Sequence, residues 1–301
     1  MRHPLLISHK EVRKRVMTLV ATGLQIRRSG NLIFVCGGND REHLQPRFCR
    51  ESAEKLPDFQ IFQPEFAMKN YFSDAGGAQL DLGDFETLIG DLSHAIVIFP
   101  EAPGSFAETG YFANIDQIAE KVILVLDMER QRNDSFIMMG PVRRFETKSR
   151  FSPNIQLNYA DPDFSLIVDR INRIEFSKNR KFLDSKNLSD PYDLFCLVYK
   201  IFDILSIATF DDLIFVLSSL TGGHAPKKRA RDIASILVGA KYIKPVGAFG
   251  HYFADPNDRA LVKVRTGFVE EEATLKIEIA GILATSDPEF SEVLRGRANV
   301  D

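Results

Sequence analysis

Short, uninterrupted apolar runs, separated by polar stretches with helical spacing, mark the first half of the chain. Leu32-Ile33-Phe34-Val35-Cys36 stops at Gly37-Gly38. Phe59-Gln60-Ile61-Phe62 is closed by Gln63-Pro64, and Ala95-Ile96-Val97-Ile98-Phe99 and Val122-Ile123-Leu124-Val125-Leu126 repeat the theme, with a fifth run from Ile155 to Asn158. Runs this short and this apolar read as strands covered on both faces, the habit of parallel sheets. Helices are expected between them, over 42–56, over 80–92 and from Ser105 to Ala119, with a loop from Asn70 to Gly77. Strands alternating with helices predict an α/β domain with a flavodoxin- or Rossmann-like parallel sheet.

Either side of this region the texture differs. Residues 9–28 mix apolar and basic positions at helical spacing, which predicts one amphipathic helix ended by Ser29-Gly30-Asn31. A polar, helix-compatible bridge covers 163–188, and from Asp190 three helices are expected at Tyr192–Leu205, Phe210–Leu217 and Lys227–Gly239. Lys241-Tyr242-Ile243-Lys244-Pro245, a Gly-rich turn and His251-Tyr252-Phe253 follow as a small hairpin, so this part reads as winged-helix-like. The tail after Gly267 reads as an acidic helix. The expected organisation is a basic N-terminal helix (1–30), an α/β domain (31–160), a helical linker (161–189) and a mostly helical winged-helix-like domain (190–301).

Composition narrows the function classes. A length of 301 residues fits about two domains, and 45% hydrophobic residues exclude wholesale disorder. Thirty-eight Lys and Arg against forty-one Asp and Glu exclude a uniformly basic nucleic-acid binder. The charge is uneven, however. Residues 1–30 carry seven Lys/Arg against one acid, 51–120 thirteen acids against two Lys/Arg, and 225–245 six Lys/Arg against one acid. Three cysteines without a C-x-x-C pair fit a reducing compartment. There is no apolar run of membrane-spanning length and no signal-peptide pattern, so a cytoplasmic protein is expected.

The common catalytic signatures are missing: no Rossmann glycine fingerprint, no P-loop, no zinc-like Cys/His spacing and no nucleophile elbow. No metal is therefore expected. Ligands of doubly wound sheets bind at the carboxyl ends of the strands, at the switch point. There the sequence places Gly37-Gly38-Asn39-Asp40 and the loop Pro100 to Ser105. The Gly pair allows close approach to the backbone. Ser105-Phe106-Ala107-Glu108 has two readings. One is a helix capping box. The other makes Glu108 a nucleophile on a sugar anomeric carbon, forming a glycosyl ester.

The runs Phe34 to Gly38 (FVCGG), Phe99 to Phe112 (FPEAPGSFAETGYF) and Asn133 to Pro141 (NDSFIMMGP) resemble the nucleoside 2-deoxyribosyltransferase-like family. More closely they resemble the effector proteins of bacterial retrons, which join such a domain to a C-terminal winged helix. The resemblance covers about residues 30–145 well and the rest loosely. It implies that Glu108 attacks C1′, with Glu86 as its catalytic companion. It implies substrate-binding roles for Glu101, Asp91, Ser105, Gly37 and Gly38. The family's Tyr-Asp pair has no aligned counterpart, although Tyr71 and Asp74 lie in roughly the right region.

Retron-type relatives imply N-glycosidic cleavage of a nucleotide within an antiphage defence system, the protein acting as a toxin. NAD is then a substrate rather than a cofactor, because nicotinamide leaves a cationic N-glycoside as a neutral molecule and needs no general acid. Arg143 and Arg144 are candidates for offsetting the diphosphate charge. The implied partners are the retron reverse transcriptase and its multicopy RNA–DNA hybrid, in a larger oligomeric complex. Lys227, Lys228, Arg229, Arg231 and Lys241 are the candidate nucleic-acid contacts, with Lys244 nearby. Two other readings stand beside this one: a deoxyribosyltransferase of nucleotide salvage, and a non-catalytic nucleic-acid-binding regulator.

Overall fold

The computed structural model describes residues 3–27, 30–63, 65, 67, 81–129, 135–174, 179–185, 188–247, 250–255 and 261–286. The described residues within 29–66 and 77–176 form one compact unit, and those within 1–28 and 177–301 contribute to a second.

The first unit is built on five parallel strands: β1 (Leu32–Cys36), β2 (Gln60–Phe62), β3 (Ser93–Ile98), β4 (Val122–Asp127) and β5 (Ile155–Leu157), in the order β2-β1-β3-β4-β5. That is the doubly wound order, with its switch point between β1 and β3. Every residue of β1, β3 and β4 is buried, as the unbroken apolar runs require. Side chains alternate between the two faces. Ile33, Val35, Val97 and Val125 share one core with α1 (Leu44–Ser52) and with a helix at Ser165–Arg173. Phe34 points the other way, and its ring meets Phe112 edge-on at 6.0 Å. Phe112 belongs to α3 (Pro103–Ala113), and α2 (Leu82–Leu92) runs into β3.

Several sequence expectations shift in position. The long helix expected from Ser105 to Ala119 is two elements, α3 and α4 (Asp116–Ala119), broken at Asn114. After α5 (Arg143–Lys148), the stretch expected as a linker contains α6 (Ser165–Arg173), whose Ile167, Val168 and Ile171 enter the sheet core. Loop-like spacing from Asn70 to Gly77 falls outside the described residues.

In the second unit the helix expected over 9–28 ends at Thr22, where the N–H of Gly23 bonds to Leu19 O. Residues Leu24–Arg27 form a strand instead, with Leu24 and Ile26 buried. It sits between Arg180–Phe182 and Val262–Val264, antiparallel to both. Three helices follow at Pro191–Leu205, Phe210–Leu220 and Lys227–Gly239. Thr209 and Asp212 cap the middle one reciprocally. Ile243–Val246 and His251–Ala254 pair as an antiparallel hairpin. The acidic tail forms the helix Val269–Ser286, and Glu271, Glu272 and Glu278 are partnered. Arg15 of the helix Lys10–Thr22 bonds Glu271 and Glu278, each at 2.7 Å. Glu272 joins Asp203 in holding the buried ammonium of Lys200. No helix among the described residues is long and apolar enough to cross a membrane.

Candidate active site

The site region lies where the chain leaves β1 and β3. On the α1 side, the loop after β3 folds back on the loop after β1. Glu101 is the link between them. One carboxylate oxygen accepts the N–H groups of Gly38 (3.0 Å) and Gln45 (3.2 Å), and the other accepts that of Leu44 (2.8 Å). Helix α1 needs such an acceptor, because His43 at its N-cap supplies no side-chain cap. A carboxylate there satisfies orphan amides and meets the positive end of the helix dipole. Glu101, expected to bind substrate, is therefore a capping group with both oxygens engaged.

Gly37 and Gly38 make that approach possible. A Cβ on Gly37 would stand 2.6 Å from the Cβ of Gln45, and one on Gly38 would stand 2.2 Å from Nδ1 of His43. The Gln45 contact lies at the root of a helical residue, so α1 itself would have to move. Gly37→Ala is expected to lower stability by about 1–3 kcal/mol, measured by denaturant unfolding; an unchanged midpoint would show that the loop has slack.

Ser105 removes the capping-box reading of its segment. The N-cap of α3 is Ala102, not Ser105. The Ser105 hydroxyl donates to Ala102 O and accepts the N–H groups of Glu101 and Ala102. Ser105 is thus buried in the first turn and fully used. The expected box with Glu108 as reciprocal partner does not form, and Glu108 lies in the second turn of α3, free of any capping duty.

Glu108 faces the other side of the sheet edge, among groups from three other segments. Glu86 comes from α2, Cys36 from the end of β1, and Glu65 from the segment after β2. Burial pushes the Glu108 carboxyl up to about 7, and the charges of Glu86 and then Glu65 add to the rise, against a hydrogen bond from the Cys36 thiol. Glu108 Oε2 is buried without a hydrogen-bond partner. Burial, then Glu65, also raises Glu86. The Cys36 thiol is held well above the usual range, by burial first and the Glu108 charge second, so it stays a protonated donor. Tyr111 of α3 reaches α2 through Thr87 (2.9 Å) and the Gly83 carbonyl (3.3 Å), which fixes the two glutamate-bearing helices against each other.

Glu108 and Glu86 are thus brought together, and Cys36 and Glu65, which the sequence did not single out, join them. Asp91 does not join them. It ends α2 just before β3, at the amino edge of the sheet, where its carbonyl accepts from Lys121 Nζ at 2.8 Å. Arg144 is exposed and paired with Asp116 at 2.7 Å. Tyr71 and Asp74 lie outside the described residues. Among the described residues no group of three or more His, Cys, Asp or Glu is arranged to hold a metal.

In the second unit, Lys227, Lys228, Arg229 and Arg231 are exposed on the opening turns of the helix Lys227–Gly239. Lys241 is exposed just beyond that helix. Gly222 and Gly223, at φ 62° and 96°, shape the turn ahead of it in backbone conformations that side chains disfavour. Arg229 donates to Ser189 O, and Lys244 pairs with Asp255 at 3.0 Å.

Two Escherichia coli proteins align with part of the chain. The retron Ec86 protein, named as a ribosyltransferase/DNA-binding protein, is 37% identical over 123 residues, 39% of each chain. The retron Ec73 protein, named in the same way, is 30% identical over 125 residues, 40% of this chain and 39% of the relative. The chain therefore spans about 39% of the length of these relatives. The family described as STM3845 retron effector protein matches residues 39–245, which takes in most of the strands of the sheet, Glu86, Glu108 and the basic helix. By that match, the chain belongs to the STM3845 retron effector protein family.

Proposed function

We propose that the α/β unit is an N-glycosidase whose substrate is NAD, and that the chain acts as the toxin of an antiphage retron. One observation carries this reading: a carboxylate without a hydrogen-bond partner at Oε2, Glu108, stands beside Glu86 at the switch-point edge of a doubly wound sheet. A Glu108 oxygen attacks C1′ of the nicotinamide riboside. The C1′–N bond breaks with its electron pair passing to the pyridinium nitrogen, and neutral nicotinamide leaves. Water then attacks C1′ of the glycosyl ester, its proton passing to Glu86, and ADP-ribose departs with Glu108 regenerated as a carboxylate. The acidic surroundings favour a leaving group that is cationic in the ground state. The Cys36 hydrogen bond supports the ionised form of the nucleophile.

The names of the relatives support glycosyl chemistry joined to nucleic-acid binding. Three helices, a tight turn and a hairpin in the second unit fit a winged helix, with Lys227, Lys228, Arg229, Arg231 and Lys241 toward the phosphates of the retron's RNA–DNA hybrid. In this reading the hybrid and the reverse transcriptase hold the cytoplasmic toxin silent within an oligomeric complex.

The test is release of nicotinamide from NAD, with and without the retron partners, followed by chromatography across pH. Attack requires ionised Glu108, so kcat/KM should rise with pH and level off above about 7. Glu86→Gln removes a charge that raises Glu108, so this limb should move to lower pH while kcat falls about 100- to 10,000-fold through slower ester hydrolysis. Base exchange among deoxynucleosides in place of nicotinamide release would transfer the assignment to a salvage transferase.

A further inference from the structure

A second feature of the α/β unit plays no part in the chemistry above. A cavity of about 760 Å³ opens at the carboxyl edge of the sheet, and Glu108 is not among its lining residues. Phe106, Phe136, Tyr159 and His43 supply its rings, and Glu42, Glu101 and Asp127 its carboxylates. Phe136 is 86% exposed and Phe106 41% exposed. At that exposure Phe136 contributes little to the packing of the fold. Phe106 and Glu108 lie two residues apart on α3, so the cavity and the nucleophile flank the same helix turn.

The lining chemistry defines the ligand. No Lys or Arg is among the described residues around the cavity. The amides that open α1, the natural phosphate anchor of such a fold, are already occupied by Glu101. Among the described lining residues a phosphate would meet three carboxylates, with the His43 ring as the one basic group. A flat, neutral ring that donates hydrogen bonds meets the opposite situation: faces of Phe106 and Phe136 to stack on, and the carboxylates of Glu42 and Asp127 as acceptors. The size suits a nucleoside. We infer that this cavity is a subsite for an adenine ring, stacked on Phe136 and Phe106 with its exocyclic amine toward the carboxylates. Resting on the reading above, the ring is the adenine of NAD, held on one flank of α3 while its nicotinamide riboside is cleaved on the other.

Two measurements on the full-length chain test this apart from the catalytic assignment. In equilibrium titration adenosine should bind, and Phe136→Ala should weaken it about tenfold, the scale of one lost base–aromatic stack. Phe136 is exposed, so its substitution leaves the core intact. In turnover, Phe136→Ala should lower the ratio of kcat/KM for NAD over that for nicotinamide mononucleotide, which has no adenine, by a similar factor. No saturable adenosine binding up to millimolar concentration would overturn the subsite. So would binding indifferent to Phe136→Ala and Phe106→Ala, or an unchanged substrate ratio. Adenosine binding lost in Phe136→Ala without any nicotinamide release would keep the subsite and reject the glycosidase.

Discussion

Glu108→Gln is expected to abolish nicotinamide release, by on the order of 10³-fold or more, and at the same time to make the protein more stable at pH 8. The second half follows from burial. The Glu108 carboxyl is pushed from 4.5 to about 7, so the folded state holds a proton that the unfolded chain gives up. Between those pH values the native state binds more protons than the unfolded state, and stability falls as pH rises. Above about 7 the native carboxylate is ionised against its surroundings, and the full penalty applies. Below 4.5 both states are protonated and the penalty is absent. A carboxyl displaced this far costs about 1–3 kcal/mol when ionised. A neutral amide in its place escapes that cost. The variant should therefore melt roughly 2–6 °C above the parent at pH 8 and close to it at pH 4.5, in paired thermal scans. A helix-capping role predicts the opposite sign, a loss of stability at both pH values. Full activity in the variant would remove Glu108 from the chemistry, and equal melting at pH 8 would remove the strain on its charge.

The doubly wound sheet was legible because its strands fall on short, mainly apolar runs, those of β1, β2 and β3 closed by Gly-Gly or Pro, and because both faces of β1, β3 and β4 are buried. The strand Leu24–Arg27 was not. Its apolar spacing continues that of the preceding helix, and the partners that make it a strand, Arg180–Phe182 and Val262–Val264, lie far along the chain. Local periodicity carries no information about such pairings. Glu108 was legible through its motif, whereas Cys36 and Glu65 enter the site only once strand and helix are packed.

Glu101 shows the same limit from the other direction. Its place in the Pro-rich loop pointed to substrate, and only the fold brings the N-terminus of α1 against it. One local signal was present: α1 opens after His43, without Ser, Thr, Asp or Asn at the cap, so it needs an acceptor from elsewhere. Asp91 failed for a simpler reason. It stands near Glu86 in sequence, but the intervening turns of α2 carry it to the opposite edge of the sheet.

Replacing Lys227, Lys228 and Arg231 together by Ala is expected to weaken binding of the retron's RNA–DNA hybrid about 10- to 100-fold near 0.1 M salt. Arg229, which also bonds Ser189 O, stays in place. The three chosen cations are exposed on the opening turns of their helix, and removing them creates no cavity. Phosphate contacts act through counterion release, so the diagnostic is a slope and not a single affinity. On a duplex, each lost contact should flatten the plot of log K against log salt by about 0.9, and three contacts by about 2–3. Because phosphates carry no sequence information, the loss should be nearly uniform across unrelated duplexes. If the helix instead faces a protein partner, the parent shows little salt-dependent binding and the variant leaves the slope where it was. That outcome would assign the basic face to the reverse transcriptase and leave the glycosidase reading, which rests on the other unit, untouched.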